Sequence, residues 1–222
     1  RVWAQPFALP LTTQPSASTV AGVALAQQPI VTVQDAFGNT ITTDSATVVT
    51  LAITTGTGAL TGTVTKTAAS GIADFAGQGL KIDLVGTNKV LTATGGGYTA
   101  ATTSAFTITN AAAAKLAFTT QPSASTAVDV AFAQQPVVTV QDAFGNTVVG
   151  DTSTVTLTLT TGTGVLAGTL TKAAVAGVAS FAGQGVAIDL VGADKVLTAN
   201  GGGYTLATTS AFAIVAAADA AP

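Results

Sequence analysis

Three pairs of aspartates recur along this chain: Asp35 with Asp142, Asp44 with Asp151, and Asp83 with Asp189. They matter because the chain has no His, Cys, Met or Glu, so all ten of its acids are Asp. With those residue types go the commonest general bases, nucleophiles and soft metal ligands. Asp35, Asn39 and Asp44 could offer hard oxygens to a calcium ion, yet the Asp-x-Asp-x-Asp-Gly spacing is missing, and one or two carboxylates per copy would bind weakly. Lys115 could enter a crosslink to an Asn or Asp side chain, but its counterpart is Ala8 and no Glu is present to shuttle the proton. Gly95-Gly96-Gly97-Tyr98 and Gly201-Gly202-Gly203-Tyr204 have the look of anion loops, but no helical pattern follows to supply an N-terminus. Tyr98 and Tyr204 could stack on a sugar ring; packing against their own domain is the plainer reading. For the paired aspartates that plainer reading is a turn closed by an Asx hydrogen bond. The expectation is therefore no catalytic residue, no metal site, no cofactor and no enzyme activity.

The elements that hold these residues come in two copies. Leu11-Thr12-Thr13-Gln14-Pro15-Ser16-Ala17-Ser18 returns as Phe118-Thr119-Thr120-Gln121-Pro122-Ser123-Ala124-Ser125, at a spacing of 107 residues. The register holds through Gln27-Gln28-Pro29 and Gln134-Gln135-Pro136. After Asp44 and Asp151 the offset drops to 106, and it stays there through Phe75-Ala76-Gly77-Gln78-Gly79 and Phe181-Ala182-Gly183-Gln184-Gly185. Such a period is the size of a domain, so each copy can bury its own core. The Ala-rich joint Asn110-Ala111-Ala112-Ala113-Ala114 divides the chain into domains 1–110 and 111–222.

Within a copy the apolar period is two. Val155, Leu157 and Leu159 alternate with Thr156, Thr158 and Thr160, as Val49, Leu51 and Ile53 do in the first copy. Val31 with Val33, Leu91 with Ala93, and Phe106 with Ile108 supply further inward pairs. Phe37-Gly38-Asn39, Thr55-Gly56-Thr57-Gly58 and Gly95-Gly96-Gly97 mark the turns between short strands. This pattern predicts an all-β chain of two tandem immunoglobulin-like β-sandwiches.

At Val31-Thr32-Val33-Gln34-Asp35-Ala36-Phe37-Gly38-Asn39 and Val138-Thr139-Val140-Gln141-Asp142-Ala143-Phe144-Gly145-Asn146 the chain resembles bacterial Ig-like domains of the invasin and intimin kind. Ser104-Ala105-Phe106-Thr107-Ile108 and Ser210-Ala211-Phe212-Ala213-Ile214 resemble that family's closing strand. Thr40 and Thr147 stand where the family commonly has Pro, and Asn88-Lys89-Val90 and Asp194-Lys195-Val196 replace its usual Gly-x-Tyr. The resemblance implies modular stalks or fibres on a bacterial surface.

Composition narrows the partners. Charged residues are 8 % of the chain, about a third of the usual share, and the net charge is −3, so no basic stripe exists to neutralise nucleic acid. No apolar run is long enough to span a bilayer, which argues against membrane insertion. Without Cys, stability rests on sheet pairing and packing alone. Sparse charge gives little mutual repulsion and favours a homo-oligomer, a filament or lattice. The unrepeated start, Arg1-Val2-Trp3-Ala4-Gln5-Pro6-Phe7, holds the single Trp and the single Arg. Val2, Trp3 and Phe7 are the candidate subunit contacts, pairing along a neighbour's open edge or docking in its groove. The expected role is a structural subunit of an extracellular fibre, pilus-like filament or surface layer. The alternative is a spacer in an adhesin whose binding domain, for a surface glycan or receptor, lies elsewhere. Either role places the chain outside the cell or at its surface.

Overall fold

Alternating Val, Leu and Thr on a pleated backbone must send one face inward and the other to water, and each copy solves this with two main sheets over one core. The computed structural model describes residues 8–217. The chain divides into two compact units, Arg1–Ala111 and Ala112–Pro222. Among the described residues there is no helix, and so none long and apolar enough to cross a membrane.

In the first unit, β1 (Leu11–Thr13), β3 (Ile30–Thr32) and β7 (Ile72–Asp74) form the smaller sheet in the order β1-β3-β7. The larger sheet takes β2 (Ser18–Val20), β4 (Val48–Thr55), β6 (Thr65–Thr67), β9 (Gly86–Thr94) and β11 (Phe106–Thr109) in the order β2-β11-β9-β4-β6, with β10 (Ala101–Thr102) also on β9. A two-stranded piece joins β5 (Leu60–Thr61) to β8 (Lys81–Ile82). Neighbouring strands are antiparallel except β2 with β11, where Ile108 lies opposite Thr19 in a parallel pair.

That exception explains the repeated Gln-Pro motif. The chain leaves β1 in one sheet and enters β2 in the other, and buried Pro15 sits in the crossing. A proline has no N–H to leave unpaired at such a bend. Gln14 secures the crossing, its Oε1 accepting from the Ser104 N–H at 2.8 Å just before β11. Gln28 does the same for another loop by accepting from the Leu80 N–H at 3.1 Å.

The second unit repeats the plan. Its smaller sheet is β12 (Lys115–Thr120), β14 (Val137–Gln141) and β18 (Val178–Ser180), ordered β12-β14-β18. Its larger sheet runs β13 (Ser125–Ala127), β22 (Phe212–Val215), β20 (Gly192–Gly201), β15 (Thr154–Thr161), β17 (Thr171–Ala173), with β21 (Ala207–Thr208) on β20; β16 (Leu166–Ala167) pairs β19 (Ala187–Ile188). Gln121 and Gln135 accept from the Ser210 and Val186 N–H groups as their counterparts do.

The alternation predicts the inward residues well. Val31, Val33, Val49, Leu51, Leu91, Ala93, Phe106 and Ile108 are buried, and Ile53 packs partly against them. In the second unit Val155, Leu157, Leu197, Ala199, Phe212 and Ile214 are buried, with Leu159 at the margin. On the outer face threonines pair across strands. The Thr54 and Thr92 hydroxyls lie 2.7 Å apart, as do those of Thr160 and Thr198.

Candidate functional site

Each recurring aspartate closes a loop. Asp35 follows β3, and its Oδ1 accepts from the Phe37 and Asn39 N–H groups, both at 2.9 Å, while Oδ2 accepts from Asn39 Nδ2 at 3.2 Å. These bonds to Asn39, with smaller help from Phe37 and Gly38, hold the Asp35 carboxyl below its ordinary value of 3.8. Asp142 makes the same bonds to Phe144 and Asn146, and both Asp142 and Asn146 are buried. This is the Asx turn expected from the sequence, with the carboxylate oxygens spent on backbone and amide hydrogens.

Asp44 caps the approach to β4. Its Oδ1 accepts from the Ala46 and Thr47 N–H groups, and its Oδ2 from the Thr47 hydroxyl at 2.6 Å. The Tyr98 hydroxyl approaches the same oxygen at 3.5 Å. The Thr47 side chain is the main reason the Asp44 carboxyl is held low. In the second unit the Tyr204 hydroxyl donates to Asp151 Oδ2 at 2.5 Å, and the Ser153 N–H donates to Oδ1 at 2.8 Å. Burial alone would raise the Asp151 carboxyl; the Tyr204 and Ser153 hydrogen bonds outweigh it and leave the carboxyl lowered.

The tyrosines thus bind their own sandwich. Both rings pack against the core clusters. The glycine loops exist to admit them: a side chain at Gly96, with φ of +58°, would bring its Cβ within 2.7 Å of the Tyr98 ring, and at Gly202 within 2.2 Å of Tyr204. The loop is a turn, closed by the Tyr98 N–H on the Gly95 carbonyl at 3.0 Å.

Asp83 and Asp189 act at longer range. Asp83 Oδ1 accepts from the Ala59 N–H at 2.8 Å, and Asp189 Oδ1 from Val165 N–H at 2.7 Å, each tying the turn after the long central strand to the loop before β9 or β20. Asp35 and Asn39 come together; Asp44 serves a separate turn. Among the described residues no group of three or more carboxylates could enclose a metal ion. Lys115, at the start of β12, directs its amine to the Ala143 carbonyl at 3.4 Å.

The side chains that sequence reasoning passed over are Lys89 and Lys195. Each is only 1 % exposed, among the largest fully buried side chains of the molecule. The amine of Lys89 donates to the Thr57 carbonyl, and that of Lys195 to the Thr163 carbonyl. Burial depresses the Lys89 amine below its ordinary 10.5, against the pull of Asp83 in the other direction. A bulge in β9 lies between the pairs Lys89 with Phe106 and Gly86 with Ile108, and Asn88 takes φ of +56° within it. Gly56, with φ of +93°, leaves the room, since a Cβ there would lie 3.1 Å from Lys89 Cγ. The signal was present: Lys89 shares an inward register with Leu91 and Ala93, and it recurs. Val2, Trp3 and Phe7, the predicted contact residues, lie outside the described residues.

No protein-family model matches the chain, and no curated protein does. Among solved structures it is similar to the Yersinia pseudotuberculosis adhesin InvE, with 15 % identity and a TM-score of 0.34, over 94 % of this chain and 58 % of that one. It is similar to domains 5–6 of the S-layer protein SbsC, with 20 % identity and a TM-score of 0.31, over 94 % of this chain and 99 % of that one. A β-glycosidase from Bacteroides vulgatus matches at 12 % identity and a TM-score of 0.41, over 96 % of this chain and 25 % of that one. The chain therefore spans a quarter of that glycosidase and somewhat over half of the InvE chain.

Proposed function

We propose that this chain is a structural subunit of an extracellular fibre, pilus-like filament or surface layer, and that it does no catalysis. The observation that carries this reading is the use made of the polar side chains: in both copies the recurring aspartates, tyrosines and buried lysines are spent on closing loops of the same sandwich. Duplication of that arrangement favours a stiff, repeated module. The Asp-Ala-Phe-Gly-Asn strand end, with its likeness to bacterial surface Ig-like repeats, favours a place outside the cell.

Assembly would draw on edge strands and the N-terminal arm, and the arm is the better candidate. The outer strands of the larger sheets, β2, β6, β13 and β17, are three residues long, and β6 and β17 carry Lys66 and Lys172. Short, lysine-bearing edges are poor templates for a neighbour's strand. Val2, Trp3 and Phe7 then supply the apolar contact. Deleting residues 1–7 is expected to abolish fibres or sheets in negative-stain electron microscopy while the circular dichroism of the sandwiches is retained; unchanged assemblies would end the reading.

One observation favours the alternative, a spacer within a longer adhesin. Phe37, at the tip of the Asp35 turn, is 88 % exposed, while its counterpart Phe144 is 44 % exposed. A ring so bare is suited to a further domain stacked on that end.

A further inference from the structure

One end of the sandwich carries several of the differences between the two copies. In the second unit, Val128 N–H donates to the Val215 carbonyl at 2.9 Å, Asp129 N–H to the Ile188 carbonyl at 3.1 Å, and Val165 N–H to the Asp189 carboxylate at 2.7 Å. These bonds gather Val130, Val165, Leu190, Val191 and Val215 into one end of the sandwich, where they are 45–65 % exposed. The first copy is less apolar at the same positions. Ala59 stands for Val165 and Thr109 for Val215, while Leu84 and Val85, the counterparts of Leu190 and Val191, are half-buried. It is also less acidic there. Gly22 stands for Asp129 and Asn88 for Asp194; only Asp83 matches Asp189. Val23 already matches Val130, and Val215 faces Ala127 where Thr109 faces Val20, so the net apolar gain is Val165 with the fuller exposure of Leu190 and Val191. Asp129 and Asp194 take φ of +59° and +60° where Gly22 and Asn88 are also left-handed, so the backbone limits these positions to Gly, Asn or Asp and the second copy fills both with a charge. Exposed apolar patches with a polar rim are the usual mark of a contact surface.

We propose that this end is the seat for the N-terminal arm of a second copy of the chain. Trp3 and Val2 lie on Val130, Val165, Leu190, Val191 and Val215, and Arg1 faces Asp129, Asp189 and Asp194. The match is chemical: the arm holds the single Trp and the single Arg of the sequence, and the seat offers apolar area ringed by three acids. A Trp anchor in an apolar patch with an Arg on the rim is the composition that carries binding energy at protein interfaces. The contact pairs two different surfaces of the chain, a heterologous interface that closes into a ring or propagates as an open filament. This inference rests on the assembly reading above and names the surface it uses.

The test is sedimentation velocity on the full chain across a concentration series, with three variants. Leu190→Ser combined with Val191→Ser changes exposed side chains only, so the fold should survive, as circular dichroism checks. Its self-association is expected to weaken by about thirtyfold, the loss of one interface hot spot. Asp129→Lys with Asp194→Lys should weaken it too, and adding Arg1→Asp to that pair should restore part of the loss. If the serine variant associates like the native chain while deletion of residues 1–7 abolishes association, the arm binds elsewhere; the seat is overturned and the assembly reading stands. If the native chain is monomeric at every concentration, both fall.

Discussion

The two copies agree where the fold is held and differ where it is not. Leu51 lies opposite Ala93 as Leu157 lies opposite Ala199, and a bulge follows at Ile53 as at Leu159. Every recurring carboxylate caps the equivalent turn. Even a core change is absorbed: Leu25 becomes Phe132, both are 2 % exposed, and Phe132 meets Phe212 edge-on with ring centroids 5.4 Å apart. By contrast, the end carrying Asp129, Val165, Asp194 and Val215 has changed its chemistry while its hydrogen-bonded frame is kept. The difference teaches which residues answer to the sandwich and which are free to answer to something outside it.

The largest test of that agreement is in the core. Phe75→Ala and Phe181→Ala are both fully buried deletions and are expected to destabilise their own units by similar amounts, about 3–5 kcal/mol each. Guanidinium unfolding that gave clearly unequal losses would mean that the two cores are not equivalent.

A smaller effect is expected at the buried lysines. Lys89→Ala or Lys195→Ala removes a packed stem and strands the Thr57 or Thr163 carbonyl, at about 2 kcal/mol. Lys89→Met keeps the stem, drops the amine and sheds the cost of burying charge, so it should cost less. A Met variant as weak as the Ala variant would show that the amine's bond, rather than the packing of the stem, carries the clasp.

The smallest effects separate the tyrosines. Tyr204→Phe should lower stability by about 1 kcal/mol, and Tyr98→Phe by less, because Tyr98 stands 3.5 Å from its aspartate and Tyr204 stands 2.5 Å away. Equal losses would erase that distinction between the copies. The aspartates also set an acid limit. Asp44 and Asp151 have carboxyls lowered in the folded chain, so the stability they contribute is full above their unfolded values and is lost as pH falls through the folded ones. Thermal melts should therefore be insensitive to these groups near neutrality and fall in acid below about pH 4, and Asp44→Asn with Asp151→Asn should flatten that fall.

Much of the fold was legible because strand alternation and turn chemistry are local. Val49 and Leu51 point inward for the same reason that Thr50 does not, and Asp35 reaches Phe37 and Asn39 within its own turn. The roles that were missed belong to partners far apart in the chain. Asp83 reaches across 24 residues to Ala59, Lys89 across 32 to Thr57, Tyr98 across 54 to Asp44, and Gln14 across 90 to Ser104. The repeat flagged that these residues mattered without saying what they touch. Lys89 was missed for a further reason: a charged residue in an inward register reads as an interruption of the strand until the bulge that turns it and the glycine that makes room for it are seen.

By itself, then, the sequence determined the all-β class, the duplication, the inward faces and the local Asx turns, since periodicity and turn preference act over a few neighbouring residues. Only the tertiary structure decided that Tyr98 and Tyr204 serve Asp44 and Asp151, that two lysines are buried, and that the loops at Asp129, Val165 and Asp189 are hydrogen-bonded to one another's neighbours. Those are contacts between segments that share no local pattern, and they exist only once the sheets have brought distant loops to the same end of a sandwich.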